Sequence, residues 1–312
     1  MLCVGIVGSG PEAVDRAESI TRHFSNLTAA GICTPDGDLH ALFAAPQVNA
    51  VLDLSRPTAG DEVTRQALCA GKHVYRAHPL LHPGKEAAEL RELAKAKGLL
   101  LGGGPDAFLG ASQQTARRLM EDGFIGTPVG AAVRCVRRGG EDVLCDAAPC
   151  ALSALIQLLG RVSAVSAMGT NEHMTALARF GSGITAEMLF SSRISPERES
   201  GLEIFGSEGA LRLQSPCAMG GEVHLFRRGD REACPVPLMF PHGEETPGLG
   251  LSEMAAALEE GRPHRAGADQ LVHISEVLSA LRRSAETGRE VRIRSPFRRM
   301  SPMPSLAEPE EE

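Results

Sequence analysis

The stretch VGIVGSGPEAV, residues 4–14, decides the fold of the first part of the chain. Its apolar residues up to Val7 have the character of a buried strand, and Gly8, Gly10 and Ala13 follow in a G-x-G-x-x-A spacing. Glycines in these places let the backbone turn from a strand into a helix and approach a ligand closely. The stretch therefore predicts the first strand and helix of an α/β domain with a parallel sheet.

The same turn predicts a site for the pyrophosphate of a dinucleotide. Proline suits the first turn of a helix, where a backbone N–H has no partner within the helix, and the helix N-terminus attracts anions. A tight strand-to-helix turn without any ligand is the alternative interpretation. The candidate cofactor-binding residues of the turn are Gly8, Ser9, Gly10, Pro11 and Glu12.

The residue that would distinguish NAD from NADP is less clear. The second predicted strand ends at Cys33, and Thr34 is a further candidate cofactor-binding residue. Asp36 and Asp38 come slightly later than the acidic residue that usually holds the ribose hydroxyls. Turn formation beside Pro35 is the favoured interpretation of both aspartates, so NAD and NADP both remain open.

Composition excludes several classes of partner. The 312 residues carry a net charge of −7, no tryptophan and one tyrosine, so no basic or base-stacking surface for nucleic acid is expected. No apolar run is long enough for a membrane helix and the first residues lack a basic leader, so we expect a cytoplasmic protein without a membrane partner. Eight cysteines without a C-x-x-C pair predict reduced, mostly buried thiols.

The pattern of elements changes near residue 123. Before it, short apolar strands alternate with helical patterns, as in the βαβ units of a parallel sheet. After it, one amphipathic helix precedes a run of strands, which predicts an α+β domain with an open antiparallel or mixed sheet; helices at about 250–260 and 267–287 follow. The predicted segments are an α/β dinucleotide-binding domain at 1–122, an α+β domain at 123–295, and a disordered tail rich in proline and charge at 296–312.

Several stretches, taken in chain order, resemble the Gfo/Idh/MocA oxidoreductases, the family of glucose–fructose oxidoreductase and inositol dehydrogenase. The resemblance spans about residues 2–300. Among the stretches that carry it are NAVLDLSRP (49–57), ALCAGKHVYRAHPLL (67–81), DAAPCALSALIQLLGRV (146–162) and FGSEGALRL (205–213).

This resemblance implies a Rossmann domain followed by an open-sheet domain that binds substrate and forms the dimer or a tetramer. It implies an NAD(P)-dependent oxidoreductase that acts on a sugar, a polyol or a related hydroxy or keto compound. A non-catalytic homologue, serving as a partner subunit or a ligand sensor, is the alternative. Further cofactor-binding residues implied by the resemblance are Ser55, Arg56, Pro57 and Arg76.

The end of the fourth predicted strand departs from the family. Relatives carry Glu-Lys-Pro there, and their lysine helps to accept the proton of the substrate hydroxyl; this chain has Ala77-His78-Pro79. Histidine has an ordinary pKa of about 6.5, which suits proton transfer near neutrality, so His78 is a candidate catalytic residue. A residue without chemistry is the alternative, and a zinc site with His82 is not expected. The resemblance also predicts a cis His78–Pro79 peptide.

The second patch implied by the resemblance lies at the start of a helix in the C-terminal domain. Asp146 matches the family's aspartate and is a candidate catalytic residue that would hold a substrate hydroxyl or orient His78. A helix N-cap is its favoured alternative. Cys150 stands where relatives usually carry tyrosine and is a candidate substrate-binding residue, with a buried structural thiol as the alternative. No metal is expected.

Overall fold

The computed structural model describes residues 1–55, 57–79, 85–137, 142–194 and 200–306. The chain forms two compact units, each built from separate parts of the sequence. The first unit comprises Met1–Asp106, Thr246–Ser279 and Ser295–Met300, and the second comprises Ala107–Glu245, Ala280–Arg294 and Ser301–Glu312.

The first unit has the parallel α/β architecture that the sequence predicts. Five strands lie in the order β2-β1-β3-β4-β5, and every neighbouring pair is parallel. The central strands are apolar and almost completely buried, as expected where helices cover both faces of a sheet. Its first elements are β1 (Leu2–Val7), α1 (Gly10–His23), β2 (Leu27–Cys33), α2 (Leu39–Ala44), β3 (Ala50–Asp53), α3 (Pro57–Cys69), β4 (His73–Arg76), α4 (Lys85–Ala96) and β5 (Leu101–Gly103).

The second unit contains the mixed sheet. Nine strands lie in the order β13-β12-β11-β10-β6-β9-β8-β7-β14, and β6 and β9 form its parallel pair. Strand β8 alternates strictly between exposed and buried residues, so one face of the sheet is packed and the other is open.

The α-helices and strands after β5, which belong to both units, are α5 (Ala111–Glu121), β6 (Pro128–Val136), α6 (Val143–Asp146), α7 (Ala148–Leu159), β7 (Val162–Gly169), β8 (His173–Phe180), β9 (Thr185–Ser191), β10 (Gly201–Gly206), β11 (Gly209–Leu213), β12 (Val223–Arg227), β13 (Cys234–Val236), α8 (Leu249–Glu260), α9 (Ala268–Thr287) and β14 (Val291–Arg292).

Residues 246–279 return to the first sheet, which the sequence does not predict. The backbone N–H of Gly103 donates to the Ala266 carbonyl over 2.9 Å, directly beside β5. Asp106 receives hydrogen bonds from the Tyr75 hydroxyl at 2.9 Å and from the Gly250 backbone N–H at 3.0 Å. The compact units therefore differ from the predicted segments 1–122 and 123–295, whose bounds as functional domains stay a prediction.

Residues 296–306 belong to the segment that is predicted to be disordered, and the disorder of that segment stays a prediction. The backbone N–H of Leu306 donates to the Met239 carbonyl over 3.0 Å, and that of Met303 donates to Gln114 Oε1 over 2.9 Å. These contacts give the polar backbone of a proline-rich segment specific partners. Residues 307–312 lie outside the described residues. Among the described helices, none combines the length and the apolar character needed to cross a membrane.

Candidate functional site

The carboxyl ends of the parallel strands form one edge of the first unit. Cys33, Val7, Asp53, Arg76 and Gly103 pair in register across β2, β1, β3, β4 and β5. The residues that follow them therefore leave the sheet together, at the edge where open α/β sheets bind ligands. The sequence-predicted residues that leave there are Gly8 to Glu12, Thr34, Ser55 and His78.

The glycine turn leaves the start of helix α1 without a side-chain cap. Ser9 occupies the N-cap position with an extended backbone, and its hydroxyl makes no capping hydrogen bond. Gly10 has a φ of +72°, a left-handed conformation that favours glycine, and a Cβ built there would meet no atom within 4 Å. A Cβ at Gly8 would lie 2.9 Å from Leu54 Cβ, so this glycine is required by close packing. Open space beside Gly10 and a helix start without a side-chain cap are features that a pyrophosphate site requires.

Two charged side chains of α1 lie close to this turn. Glu12 is exposed in the first turn of the helix, and Arg16 follows one turn later. Both charges act on the pKa of His78: the Glu12 carboxylate raises it and the Arg16 guanidinium lowers it. The glycine turn follows β1 and His78 follows β4, so both leave the sheet at the same edge.

The end of β2 has a local structural role in this structure. The Thr34 carbonyl accepts a hydrogen bond from the Gly37 backbone N–H at 2.9 Å, which closes a turn. Asp38 caps α2, since its Oδ1 accepts from the Ala41 backbone N–H at 2.9 Å. Asp38 thus caps a helix, whereas turn formation was the favoured interpretation of both aspartates, and cofactor binding by the exposed Thr34 stays a prediction.

A buried polar cluster lies directly beneath the edge, and the sequence analysis missed it. Asp53 Oδ1 accepts hydrogen bonds from the Ser55 backbone N–H at 2.9 Å and from its hydroxyl. Asp53 Oδ2 accepts from Thr64 Oγ1 at 2.9 Å and from Arg76 Nη1 at 3.2 Å. The same Arg76 nitrogen lies 3.5 Å from Asp61 Oδ1. Asp53 therefore connects the candidate cofactor residue Ser55 to an internal ion pair.

Arg76 is 1% exposed, so its guanidinium belongs to the interior of the unit. In the structure Arg76 forms an ion pair with Asp53. Cofactor binding by Arg76 stays a prediction. A signal for this pair was present in the sequence, since an aspartate ends one apolar strand and an arginine ends the next. The register that pairs Asp53 with Arg76 becomes visible only in the structure.

His78 follows β4 and is half-buried. Its backbone carbonyl accepts a hydrogen bond from Arg76 Nε at 3.3 Å, which links the buried cluster to the candidate catalytic residue. Burial lowers the pKa of the imidazole, and the Glu12 carboxylate partly opposes this shift. The neutral form, which accepts protons, therefore predominates at neutral pH.

Four further predictions concern the residues that follow β3 and β4. The predicted cis His78–Pro79 peptide is wrong: within the described residues the cis peptide is Gly104–Pro105. Arg56 and His82 lie outside the described residues. Pro57 is the first residue of α3, and its contact with a cofactor stays a prediction.

Asp146 lies in the second unit, at the last position of the short helix α6. Its interpretation as the N-cap of the apolar helix is wrong, because Ala147 occupies the N-cap position of α7; Asp142 caps α6, through a 2.9 Å hydrogen bond from the Leu144 backbone N–H. Helix α7 begins after Ala147, which has no side-chain cap. The Asp146 backbone carbonyl accepts from Arg137 Nη1 at 3.3 Å. A catalytic role for Asp146 stays a prediction.

Cys150 lies in the first turn of α7, four residues after Asp146. It is half-buried, and its thiol contacts the thiol of Cys217. Both candidate residues of the second unit thus lie around the junction of α6 and α7. Substrate binding by Cys150 stays a prediction.

Comparison with known families supports the resemblance. The Gfo/Idh/MocA family model, described as an oxidoreductase family with an NAD-binding Rossmann fold, matches residues 37–104. The matched segment runs from just before α2 to just after β5 and includes Asp53 and His78. The predicted resemblance to the Gfo/Idh/MocA family is confirmed. A search of curated proteins by sequence finds no match.

Solved structures share the fold over nearly the whole chain. An aldose–aldose oxidoreductase from Caulobacter crescentus, in complex with glycerol, has a TM-score of 0.84 at 18% identity and covers 94% of this chain and 99% of its own. A levoglucosan dehydrogenase in complex with NADH and L-sorbose has a TM-score of 0.83 at 16% identity, with coverage of 95% and 99%. A 3-ketoreductase from Actinomadura kijaniata, with TDP-benzene and NADP, has a TM-score of 0.77 at 20% identity, with coverage of 90% and 96%. The chain therefore shares the fold of these three oxidoreductases over nearly its whole length.

Proposed function

We propose that the protein is an NAD(P)-dependent oxidoreductase that transfers hydride between nicotinamide and a sugar, a polyol or a related hydroxy or keto compound. One observation carries this proposal: the uncapped start of α1 and His78 share the carboxyl edge of the parallel sheet. Such an edge binds a dinucleotide where the pyrophosphate meets the helix N-terminus. The family match over residues 37–104 covers the same sheet and supports the proposal.

In this proposal the cofactor supplies the hydride chemistry when it is bound. The turn from Gly8 to Glu12 binds the pyrophosphate through backbone amides at the start of α1. Ser55, held by Asp53, supports the adjoining part of the cofactor. A ring nitrogen of His78 accepts the proton of the substrate hydroxyl during oxidation and returns it during reduction.

The substrate class follows from the chemistry of this edge and from the relatives. Glycerol and L-sorbose, found with two of the related structures, are polyhydroxylated compounds. We assign Asp146 and Cys150 of the second unit to the substrate, with Asp146 accepting a hydrogen bond from a hydroxyl group. A carboxylate oxygen is a strong acceptor for such a hydroxyl.

We further infer a cytoplasmic homo-oligomer, a dimer or tetramer, formed through the open face of the second sheet. Leu177 of β8 is 54% exposed on that face, and Met168 at the end of β7 is 77% exposed. Exposed apolar side chains on an open sheet favour pairing with a second copy. Free thiols at all eight cysteines accord with a reducing compartment.

Turnover on a panel of sugars and polyols, with NAD and NADP as alternative oxidants, tests the proposed reaction. We expect reduction of the nicotinamide, followed by its absorbance, with at least one polyhydroxylated substrate. Formation of one keto product for each nicotinamide reduced would identify the reaction as oxidation of a hydroxyl group. A folded protein that turns over none of the panel with either cofactor would favour the non-catalytic alternative.

A further inference from the structure

Three cysteines from separate elements of the second unit bring their sulfur atoms together. Cys135 lies near the end of β6, Cys150 in the first turn of α7, and Cys217 in the turn after β11. The Sγ atoms of Cys135 and Cys217 are 3.3 Å apart, and the Cys217 thiol also contacts Cys150. The three thiols, which we call the thiol cluster, come from positions distant in sequence.

The thiol cluster differs from the other cysteines of the chain. Cys69 and Cys234 are exposed, and Cys135 alone is buried, so the expectation of mostly buried thiols is wrong. Among the described residues, no group of three or more histidine, cysteine or acidic side chains has an arrangement that could hold a metal ion. The close approach of two sulfurs therefore points to thiol chemistry rather than to metal binding.

The pKa values of the two thiols are shifted in opposite directions. The hydrogen bond from Cys217 lowers the pKa of Cys135, and Ser200 and Arg137 act in the same sense against the effect of burial. The hydrogen bonds to Cys135 and Cys150 raise the pKa of Cys217 far above its ordinary value. Cys135 is thus the more thiolate-like sulfur of the pair, and Cys217 holds its proton more strongly.

We propose that Cys135 and Cys217 are a modification site, a thiol pair that hydroperoxides oxidise to a reversible disulfide. The separation of 3.3 Å must shorten by about 1.3 Å to reach the length of a disulfide bond. Cys135 is fixed in β6, whereas Cys217 lies in a turn outside the strands, so the turn provides the movement. This proposal is independent of the proposed oxidoreductase function.

The reaction has two steps and consumes one hydroperoxide. The Cys135 thiolate attacks a peroxide oxygen, the O–O bond breaks, and the second oxygen leaves as water or alcohol after it takes up a proton. The Cys217 sulfur then attacks the resulting sulfenic sulfur, its proton is lost, and the S–OH oxygen leaves as water. The two thiols lose two electrons in total, which reduce the peroxide, and a dithiol reverses the bond by exchange.

Peptide mapping of the full-length protein tests the pair directly. After brief exposure to hydrogen peroxide, free thiols are blocked with iodoacetamide and the protein is digested with trypsin without reduction. Cleavage after arginine places Cys135 in CVR, Cys217 in LQSPCAMGGEVHLFR, and Cys150 together with Cys145 in the separate peptide 139–161. A link between Cys135 and Cys217 therefore has a mass that no other pairing of these cysteines shares.

We expect CVR joined to LQSPCAMGGEVHLFR, in at least about tenfold excess over any link that contains Cys69 or Cys234, because neighbouring thiols have a high effective concentration. The link should disappear with dithiothreitol and in Cys217→Ser, and it should persist in the control Cys234→Ser. Absence of this link in the peroxide-treated wild type would overturn the proposal. A dominant link between Cys217 and the peptide that contains Cys150 would overturn it as well.

Discussion

At the scale of single residues, His78 carries the proposed proton transfer. We expect His78→Ala to lower turnover by roughly 10²–10⁴, the usual contribution of a general base, and to leave nucleotide affinity nearly unchanged. The control is His23→Ala: His23 is exposed at the far end of α1, and this variant should retain wild-type turnover. Turnover that is insensitive to His78→Ala would remove the histidine from the mechanism and leave Asp146 to be tested.

The pH dependence of the same reaction follows from the environment of His78. Burial lowers the pKa of the imidazole, so the proton-accepting form is already present below the ordinary value of about 6.5. The rate of alcohol oxidation should therefore rise with pH through a pKa below that value and then level off. This limb should be absent from the profile of His78→Ala and shifted in that of His78→Lys. An identical limb in wild type and alanine variant would assign the titration to another group.

Gly10 supports the turn through its backbone conformation. An alanine with a φ of +72° is strained by about 1–2 kcal/mol, and its methyl group would enter the open space beside α1. We expect Gly10→Ala to weaken nucleotide binding and to lower the free energy of unfolding by a similar amount, measured by titration and by urea denaturation. Gly31→Ala is the matched control, since that glycine has neither a positive φ nor a close neighbour. Equal effects of the two substitutions would contradict this role.

Single residues were also where sequence reasoning was least complete. Asp146 resembles a helix cap because it precedes an apolar helix, but it ends the four-residue helix α6, and Ala147 occupies the N-cap position of α7. Asp53 and Arg76 were visible as charges in apolar strands, yet their pairing depends on strand register. Local patterns predict which residues are polar; the partner of a buried charge is set by contacts distant in sequence.

At the scale of elements, the Asp53–Arg76 pair joins the ends of β3 and β4. Arg76→Met removes the buried partner of Asp53, and Asp53→Asn leaves Arg76 with Asp61 as its remaining ionic partner. We expect Arg76→Met to destabilise the protein by about 3–5 kcal/mol and Asp53→Asn to destabilise it by less. The double variant Asp53→Asn/Arg76→Met should be less destabilised than the sum of the two single variants. The exposed pair Arg22–Glu18 is the control, where Arg22→Ala should change the unfolding free energy by less than about 1 kcal/mol. Urea denaturation measures all four variants, and additive single effects would contradict a coupled pair.

The sequence predicts strands and helices well where they contain strong apolar runs, and poorly where they consist of glycine and alanine. Strands β1 to β4 and the helices α8 and α9 follow the sequence pattern closely. Strand β6 contains Gly130, Ala131 and Ala132, residues with low strand propensity, and it forms because β10 and β9 pair on its two sides. The return of residues 246–279 to the first unit likewise depends on long-range contacts such as Gly103 with Ala266.

At the scale of the whole molecule, the proposed oligomer can be tested on the open face of the second sheet. Leu177 lies among the exposed residues of β8, and a glutamate there would place a charge in the proposed interface. We expect sedimentation velocity to show a dimer or tetramer for the wild type and a shift towards monomer for Leu177→Glu. Val14→Glu, at an equally exposed apolar position on α1, should leave the assembly unchanged. A wild-type monomer at every concentration would contradict the proposal.

Binding of a nicotinamide dinucleotide is the central claim, since the hydride transfer, the role of His78 and the use of the glycine turn all depend on it. Titration of the protein into NADH and into NADPH, followed by nicotinamide fluorescence, tests it most directly. We expect saturable binding of at least one of the two nucleotides in the wild type, weakened in Gly10→Ala and retained in His78→Ala. No fluorescence change with either nucleotide, for a protein shown to be folded, would contradict it.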